Sequence, residues 1–357
     1  MLSEALPDAV DAELKTFFAS RREQTVRVDG HFAEAVDALE AFVLRGGKRM
    51  RPRFAWWGWR GAGGDPSGTS AAGVLVACAA LELIQACALV HDDLVDASAT
   101  RRGQATVHTA FAARHRAAGW GGDADRFGLA AAVLLGDIAL AWGDDMLRTA
   151  ALPAATMAGA LPFWEAMRTE MLGGQYLDVF TEVRGDESPA AALRIDRFKT
   201  AAYTVERPMQ MGAALAGAPP ELITAYSLFG KDVGVAFQLR DDLLGVFGDP
   251  AVTGKPAGDD LREGKRTLLV AVALQRADAG NPAGAAALRG ALGHDIDEDT
   301  IDALRALLVD LGAVQQLEDT IAQLTDRGLA ALDTDLIDSV ARIELHRLAD
   351  AVATRSS

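Results

Sequence analysis

Two short acidic runs close apolar segments of this chain, and their spacing is suited to chemistry. The first is His91-Asp92-Asp93-Leu94-Val95-Asp96, which ends the apolar stretch 71–90. At 100° per helical residue, Asp92 and Asp96 fall about 40° apart on one face. Two carboxylates so placed repel each other unless a cation stands between them. Oxygen-only ligands with room for water suit Mg²⁺ beside phosphate groups. The second run, Phe237-Gln238-Leu239-Arg240-Asp241-Asp242, also follows an apolar segment. One such motif describes a helix end shedding charge into solvent as well as it describes a site. Two of them, on two apolar helices, describe opposite walls of a pocket lined with metal-binding carboxylates.

Compact basic groups surround these acids in the sequence. They are Gly46-Gly47-Lys48-Arg49-Met50-Arg51-Pro52, then Arg101-Arg102-Gly103 with His108 close behind, then Lys199-Thr200, and finally Lys255 and Lys265 flanking Asp259-Asp260. Arginine forks onto phosphate oxygens, lysine acts as a point charge, and glycine lets backbone approach closely. Singly, each cluster also reads as a solvated helix end. Jointly, in an acidic chain, they indicate a diphosphate site bridged by Mg²⁺.

The elements that must carry these residues are helices. Apolar residues recur at i, i+3, i+4 and i+7, as in Phe32, Val36, Leu39 and Phe42, or Leu304, Leu307, Leu308 and Leu311. Strand-like alternation is scarce, and the glycine- and proline-rich breaks are too short to be domain linkers. The expectation is an all-α fold of ten or more helices in a single domain over 1–357. Its centre would be formed by the very apolar segments 71–90 and 128–143.

Composition narrows the function further. Half of the 357 residues are hydrophobic and 6% aromatic, enough for a large helical core. The net charge, 35 − 50 = −15, argues against a nucleic-acid partner, which requires a basic face. Cys78 and Cys87 lie nine residues apart on one helix, about 13 Å, beyond disulfide reach. The N-terminal segment has no basic region followed by an apolar core, so no signal peptide is expected. The stretch 71–90 is long enough to span a bilayer, but Glu82 and Gln85 interrupt it, and it reads as a core helix. A soluble, cytoplasmic protein without a transmembrane segment is expected. No P-loop, nucleophile elbow, zinc spacing or dinucleotide fingerprint occurs.

Taken together, these residues resemble the trans-isoprenyl diphosphate synthases, or polyprenyl synthetases. The likeness runs from about Phe42 to Leu269. It comprises six ordered motifs: Gly46–Pro52, Asp92–Gly103, Gly174-Gln175-Tyr176-Leu177-Asp178, Lys199-Thr200, Phe237–Asp242, and the loop from Lys255 to Lys265. The resemblance implies the isoprenoid synthase fold, a large helical bundle around an apolar-walled cavity, and a homodimer. It implies that Lys48, Arg51, Gln85 and Arg102 hold the diphosphate of isopentenyl diphosphate. Asp92 and Asp96 would bind Mg²⁺ on the allylic diphosphate, with Asp241 completing the metal cluster. Arg101, Lys199, Lys255 and Lys265 would neutralise the leaving diphosphate, and Thr200 and Gln238 would lie by the allylic carbon. The sequence departs from the family at one point. The fifth residue of the second acidic motif, usually aspartate, is Gly245, and the next acid is Asp249. The third metal then depends on Asp241 and water, or on Asp249 if the chain bends at the glycines.

The implied reaction is Mg²⁺-dependent condensation of isopentenyl diphosphate with an allylic prenyl diphosphate. Short-chain members close the tunnel with bulky aromatics four or five residues before the first motif. Those positions are the small Ala88 and Cys87 here, and Ile84 and Leu81 are the next large side chains. Each helical turn descends about 5.4 Å, comparable to an isoprene unit, so geranylgeranyl diphosphate is the expected product. A class I terpene cyclase of the same fold is one rival, but it has no use for the basic motifs that hold a second diphosphate. A non-catalytic subunit of a heteromeric synthase is another, but it should have lost acidic residues that are intact here.

Overall fold

Helical periodicity becomes helix almost throughout the computed structural model, which describes residues 2–248 and 258–353. The first four helices are α1 (Leu2–Val28), α2 (Gly30–Leu44), α3 (Met50–Gly61) and α4 (Ala71–Val95). A hairpin of two-residue strands follows, β1 (Thr100–Arg101) and β2 (Gln104–Ala105), with Thr100 opposite Ala105. Its turn residues Arg102 and Gly103 both have positive φ, 52° and 70°. Two-residue hairpin turns favour that conformation. Next come α5 (Val107–Ala118), α6 (Ala124–Arg148), α7 (Ala154–Arg184) and α8 (Pro189–Ile195). A π-helical stretch, Asp196–Glu206, leads into α9 (Arg207–Leu215). The remainder is α10 (Pro220–Phe247), α11 (Asp259–Arg262), α12 (Leu268–Gly280), α13 (Pro282–Ala291), α14 (Glu298–Asp310), α15 (Ala313–Ala330) and α16 (Ser339–Ala353).

The sequence suggests one domain over 1–357, and the chain's contacts gather into two compact units. Unit one comprises Met1–Arg168, Arg207–Tyr226 and Thr334–Leu345; unit two comprises Thr169–Glu206, Ser227–Asp333 and His346–Ser357. Both are helical, as expected. The hairpin at 100–105 is the exception, too short to show an alternating pattern.

Within unit one, α4 and α6 pack along small residues. A Cβ on Gly143 would come within 2.7 Å of the Ile84 side chain, and one on Gly136 would run into the His91 ring. Both α4 and α6 are long and apolar enough to cross a membrane by length and composition. Their environments differ. In α4, 67% of the apolar window is buried inside the protein, whereas in α6 only 33% is. The expectation that 128–143 is a central helix is therefore corrected. One face of α6 meets α4, while Leu129, Val133 and Leu134 are 46%, 45% and 62% exposed. Small side chains on one face and large ones on the other produce this split, and a count of apolar residues along the segment does not register it.

Unit two builds its core from Val235, Leu239, Leu243 and Val246 of α10. All of 268–274 in α12, Leu304 and Leu308 of α14, and Leu317 and Ile321 of α15 join them. The second acidic run thus lies on a stretch of α10 that is anchored in this core.

Packing of α3 on α9 in unit one depends on Gly58 and Gly212. A Cβ on Gly212 would overlap the Ala55 carbonyl oxygen, and one on Gly58 would sit 2.5 Å from that of Met209. Overpacking of this kind costs about 1–3 kcal/mol. Gly212→Ala should therefore lower the unfolding midpoint by roughly 2–10 °C in differential scanning calorimetry. An unchanged midpoint would show that the helices part without cost.

Candidate active site

Unit one presents the first acidic run at the C-terminal end of α4, with Asp96 as the capping residue. Carboxylates at that end oppose the helix dipole, so a cation is favoured there. Arg101 meets the charge. Its Nε donates to Asp93 at 2.7 Å and its Nη2 to Asp92 at 2.9 Å. Burial disfavours the Arg101 charge, but Asp93 and Asp92 outweigh it and hold the guanidinium's pKa above its usual value. Asp93 is 1% exposed and Asp92 half-buried. Asp93 thus anchors Arg101, while Asp92 and Asp96 lie on the more open face with Gln85 and Ala88, also half-buried.

The glycine-rich basic motif forms the entry to α3. Gly46, Gly47 and Arg49 have φ of 91°, 144° and 47°, and a left-handed arginine is a strained conformation. Its side chain fixes it. Arg49 is buried and donates to Asp11 Oδ1 at 2.8 Å, to Glu82 Oε2 at 2.5 Å and to the Val43 carbonyl at 2.9 Å. Glu82, one of the residues that interrupt the apolar stretch 71–90, is the buried partner of this arginine. The clamp leaves Lys48 exposed and Arg51 buried on either side. Arg102, at the hairpin turn, donates Nη1 to the Gly46 carbonyl at 3.0 Å. The two basic motifs, 56 residues apart in sequence, are therefore one surface in unit one.

Of the residues expected to set chain length, Leu81, Ile84 and Cys87 are fully buried. Ile84 fills the notch at Gly143, while the Cys87 sulfur lies 3.7 Å from His91 Nδ1. Burial, with Asp137 adding to it, pushes the Cys87 thiol up to about 12. Ala88 shares the open face with Asp92.

Unit two holds the second set. Its π-helical stretch comes very close to α7 and α10, because glycines leave room. A Cβ on Gly174 would sit 2.6 Å from Lys199 Cα, and one on Gly234 would sit 2.7 Å from Ala201 Cα. π-Helical turns are rare and frequent at functional sites. One turn beyond Gly174, Asp178 accepts from Lys199 Nζ at 2.6 Å. One turn beyond Gly234, Gln238 accepts from the Thr200 hydroxyl at 2.7 Å and donates to Asp242 Oδ1 at 2.7 Å. Thr200, Gln238 and Asp242 therefore form one chain of hydrogen bonds, which fixes the direction of the Gln238 amide. Asp241 beside it is half-buried. Lys265 Nζ lies 2.8 Å from Glu263 and 3.7 Å from Asp260. Lys255 and Asp249 lie outside the described residues.

Asp196 is a residue that sequence reasoning missed; a single acid three positions before Lys199 carries no signal. It is 6% exposed and its Oδ2 has no hydrogen-bond donor among the described residues. Burial pushes its carboxyl up to about 8, with Asp178 adding repulsion and Lys199 partly offsetting it. Asp242 is raised well above the usual range in the same way, by burial first and then by Asp196. Asp178, Arg49 and Glu82 were likewise assigned no role from sequence, although Asp178 and Arg49 lie inside motifs quoted above.

Hard oxygen donors are what these sites offer, and buried oxygens without donors are what a small divalent cation satisfies. The residues fit Mg²⁺. No three acidic, histidine or cysteine side chains among the described residues form a cage for a metal by themselves. Mg²⁺ does not demand one, since it keeps waters and shares phosphate oxygens.

This is the donor set of a helical enzyme that handles diphosphates, and the comparisons with known proteins agree. Residues 33–308 match the polyprenyl synthetase family model. A geranylfarnesyl diphosphate synthase from Aeropyrum pernix is 31% identical over 88% of this chain and 92% of its own. A geranylgeranyl diphosphate synthase from Sulfolobus acidocaldarius is 32% identical over 70% and 69%. The crystal structure of a Corynebacterium glutamicum geranylgeranyl pyrophosphate synthase, complexed with isoprenyl diphosphate and magnesium, superposes with a TM-score of 0.96. It is 46% identical and covers 98% of this chain and 99% of its own. The chain belongs to the polyprenyl synthetase family and is a trans-prenyltransferase.

The raised Asp196 carboxyl has a measurable consequence. Its folded value lies above the ordinary 3.8, so the stabilisation from its proton is complete below that value and is lost as pH rises toward about 8. In chelator, the unfolding midpoint of Asp196→Asn should therefore fall less between about pH 5 and 8 than that of the parent. Asp242 leaves a residual slope in the variant. Parallel curves would mean that Asp196 is already ionised at neutral pH.

Proposed function

We propose that the enzyme condenses isopentenyl diphosphate with an allylic prenyl diphosphate, and that its end product is geranylgeranyl diphosphate. The observation that carries condensation over cyclisation is the Arg102–Gly46 hydrogen bond. It joins the two basic motifs into one basic surface, which supports a site for a second diphosphate that a cyclase acting on a single diphosphate does not require. Intact Asp92, Asp93 and Asp96 likewise speak against a non-catalytic subunit.

In this reading, Lys48, Arg51, Gln85 and Arg102 hold the diphosphate of isopentenyl diphosphate. Asp92, Asp96 and Asp241 are the residues that would hold Mg²⁺, which neutralises diphosphate charge when bound. Arg101, Lys199, Lys255 and Lys265 take up the charge that grows on the leaving group as the allylic C–O bond breaks. The Thr200 and Gln238 oxygens turn their dipoles to the cationic carbon. The double bond of isopentenyl diphosphate supplies the electron pair for the new C–C bond, and the released diphosphate removes the proton. Apolar helices exclude the water that would quench the cation.

Small residues at Ala88 and Cys87 support a product longer than farnesyl diphosphate. Homologues span farnesyl to geranylfarnesyl products by name, so length is set by side chains rather than by the fold. The exposed Leu129, Val133 and Leu134 of α6 support a homodimer. The burial of most of α4 supports a soluble, cytoplasmic enzyme.

The test is incubation with Mg²⁺, isopentenyl diphosphate and each allylic primer, followed by product-length analysis. Chains of twenty carbons are expected; cyclic hydrocarbons or no product would overturn the proposal. Ala88→Phe should shift the product towards fifteen carbons while condensation continues. An active, folded variant with unchanged products would remove Ala88 from the tunnel wall.

A further inference from the structure

Gly245 stands at the fifth position of the second acidic motif, inside the helix Pro220–Phe247. Nothing in its backbone demands glycine, since it does not have a positive φ. Glycine within a helix costs about 0.5–1 kcal/mol relative to alanine. Space is the reason it is there. A Cβ on Gly245 would fall inside the carboxylate of Asp260, overlapping Oδ2 and the carboxyl carbon.

Asp260 lies in the first turn of the short helix Asp259–Arg262, where an acid suits the dipole. A first-turn acid directed at solvent would need no hollow in another helix. This side chain is only 14% exposed and occupies the volume where a residue 245 side chain would begin.

A second observation points to a ligand. Asp242 is 3% exposed, its Oδ1 accepts from Gln238, and its Oδ2 has no donor among the described residues. Among the described residues, the charges that disfavour its ionisation are those of Asp196, Asp260 and Asp241. A buried oxygen surrounded by acids and lacking a donor is costly, and a divalent cation relieves that cost. The ammonium of Lys265 is 3.7 Å from Asp260 and lies closer to Glu263, at 2.8 Å.

We propose that Asp260 is the third carboxylate of the second acidic site, standing in the place that residue 245 leaves open, and that it takes part in holding the Mg²⁺ assigned to Asp241. Gly245 is then not a lost ligand but the hollow that admits one from the following helix. This inference rests on the proposed function only in its assignment of Mg²⁺ to the acidic motifs.

The experiment counts bound Mn²⁺ by electron paramagnetic resonance, on the full chain with inorganic diphosphate present and folding checked by circular dichroism. Asp260→Ala should weaken binding about 10- to 100-fold, the usual effect of removing a group from a metal's surroundings. Gly245→Ala should weaken it too, although no oxygen has been removed, because its Cβ displaces the Asp260 carboxylate. The exchange G245D/D260A should restore binding, since alanine at 260 clears the space for the new carboxylate. Parent-like affinity in Asp260→Ala, or an exchange variant as weak as Asp260→Ala, would overturn the proposal. Asp92→Ala separates the two claims. If it weakens Mn²⁺ binding while Asp260→Ala does not, only the role of Asp260 fails. If the parent itself holds no Mn²⁺ with diphosphate, both fail.

Discussion

A carboxylate withdrawn from water must meet a cation, a hydrogen-bond donor or a proton, because the uncompensated charge costs several kcal/mol. The helices that carry the acidic motifs place their acids under that constraint, and each unit meets it with different groups. In unit one, Arg101 spans Asp93 and Asp92, and Arg49 satisfies Glu82 and Asp11. In unit two, Lys199 neutralises Asp178, the Gln238 amide serves Asp242, and burial pushes the Asp196 carboxyl well above the usual carboxylate range. These compensations determine where the basic motifs stand. Arg49 must adopt a left-handed backbone to reach its partners, and in doing so it presents Lys48 and Arg51 on either side.

Glycines let the charged groups come together. Gly174 and Gly234 admit the π-helical stretch that carries Lys199 and Thr200, and Gly245 admits Asp260. A larger residue at any of these positions would push the charges apart by a carbon's width, enough to turn a charge-assisted hydrogen bond into a solvent-screened contact.

Much of this was legible in the sequence. Helical periodicity is local, so the all-α class followed directly. The motifs Asp92–Gly103 and Gly46–Pro52 are local too, and their residue types state their chemistry. What remained hidden depends on partners far apart in the chain. Glu82 read as an interruption of an apolar helix because Arg49 lies 33 residues before it. Asp196 is one acid among fifty, and its raised carboxyl follows from burial and from Asp178, which only the fold brings to it. The π-helical geometry of 196–206 has no signature in a pattern of period 3.6. Gly245 read as a missing ligand because sequence does not show what fills the space beside a glycine. α6 read as a core helix because an apolar composition does not distinguish a face packed on α4 from one left exposed.

In the proposed function, Asp92 and Asp241 of the two acidic motifs serve the same condensation, and single-turnover kinetics measures whether they do. With saturating Mg²⁺, isopentenyl diphosphate and allylic primer, product formation is followed in the parent, Asp92→Ala and Asp241→Ala. Both substitutions should lower the rate at least about 100-fold, the scale of losing a group that stabilises developing charge, with the folded content unchanged. A folded Asp92→Ala or Asp241→Ala enzyme that condenses at the parent rate would show that its carboxylate has no part in the reaction.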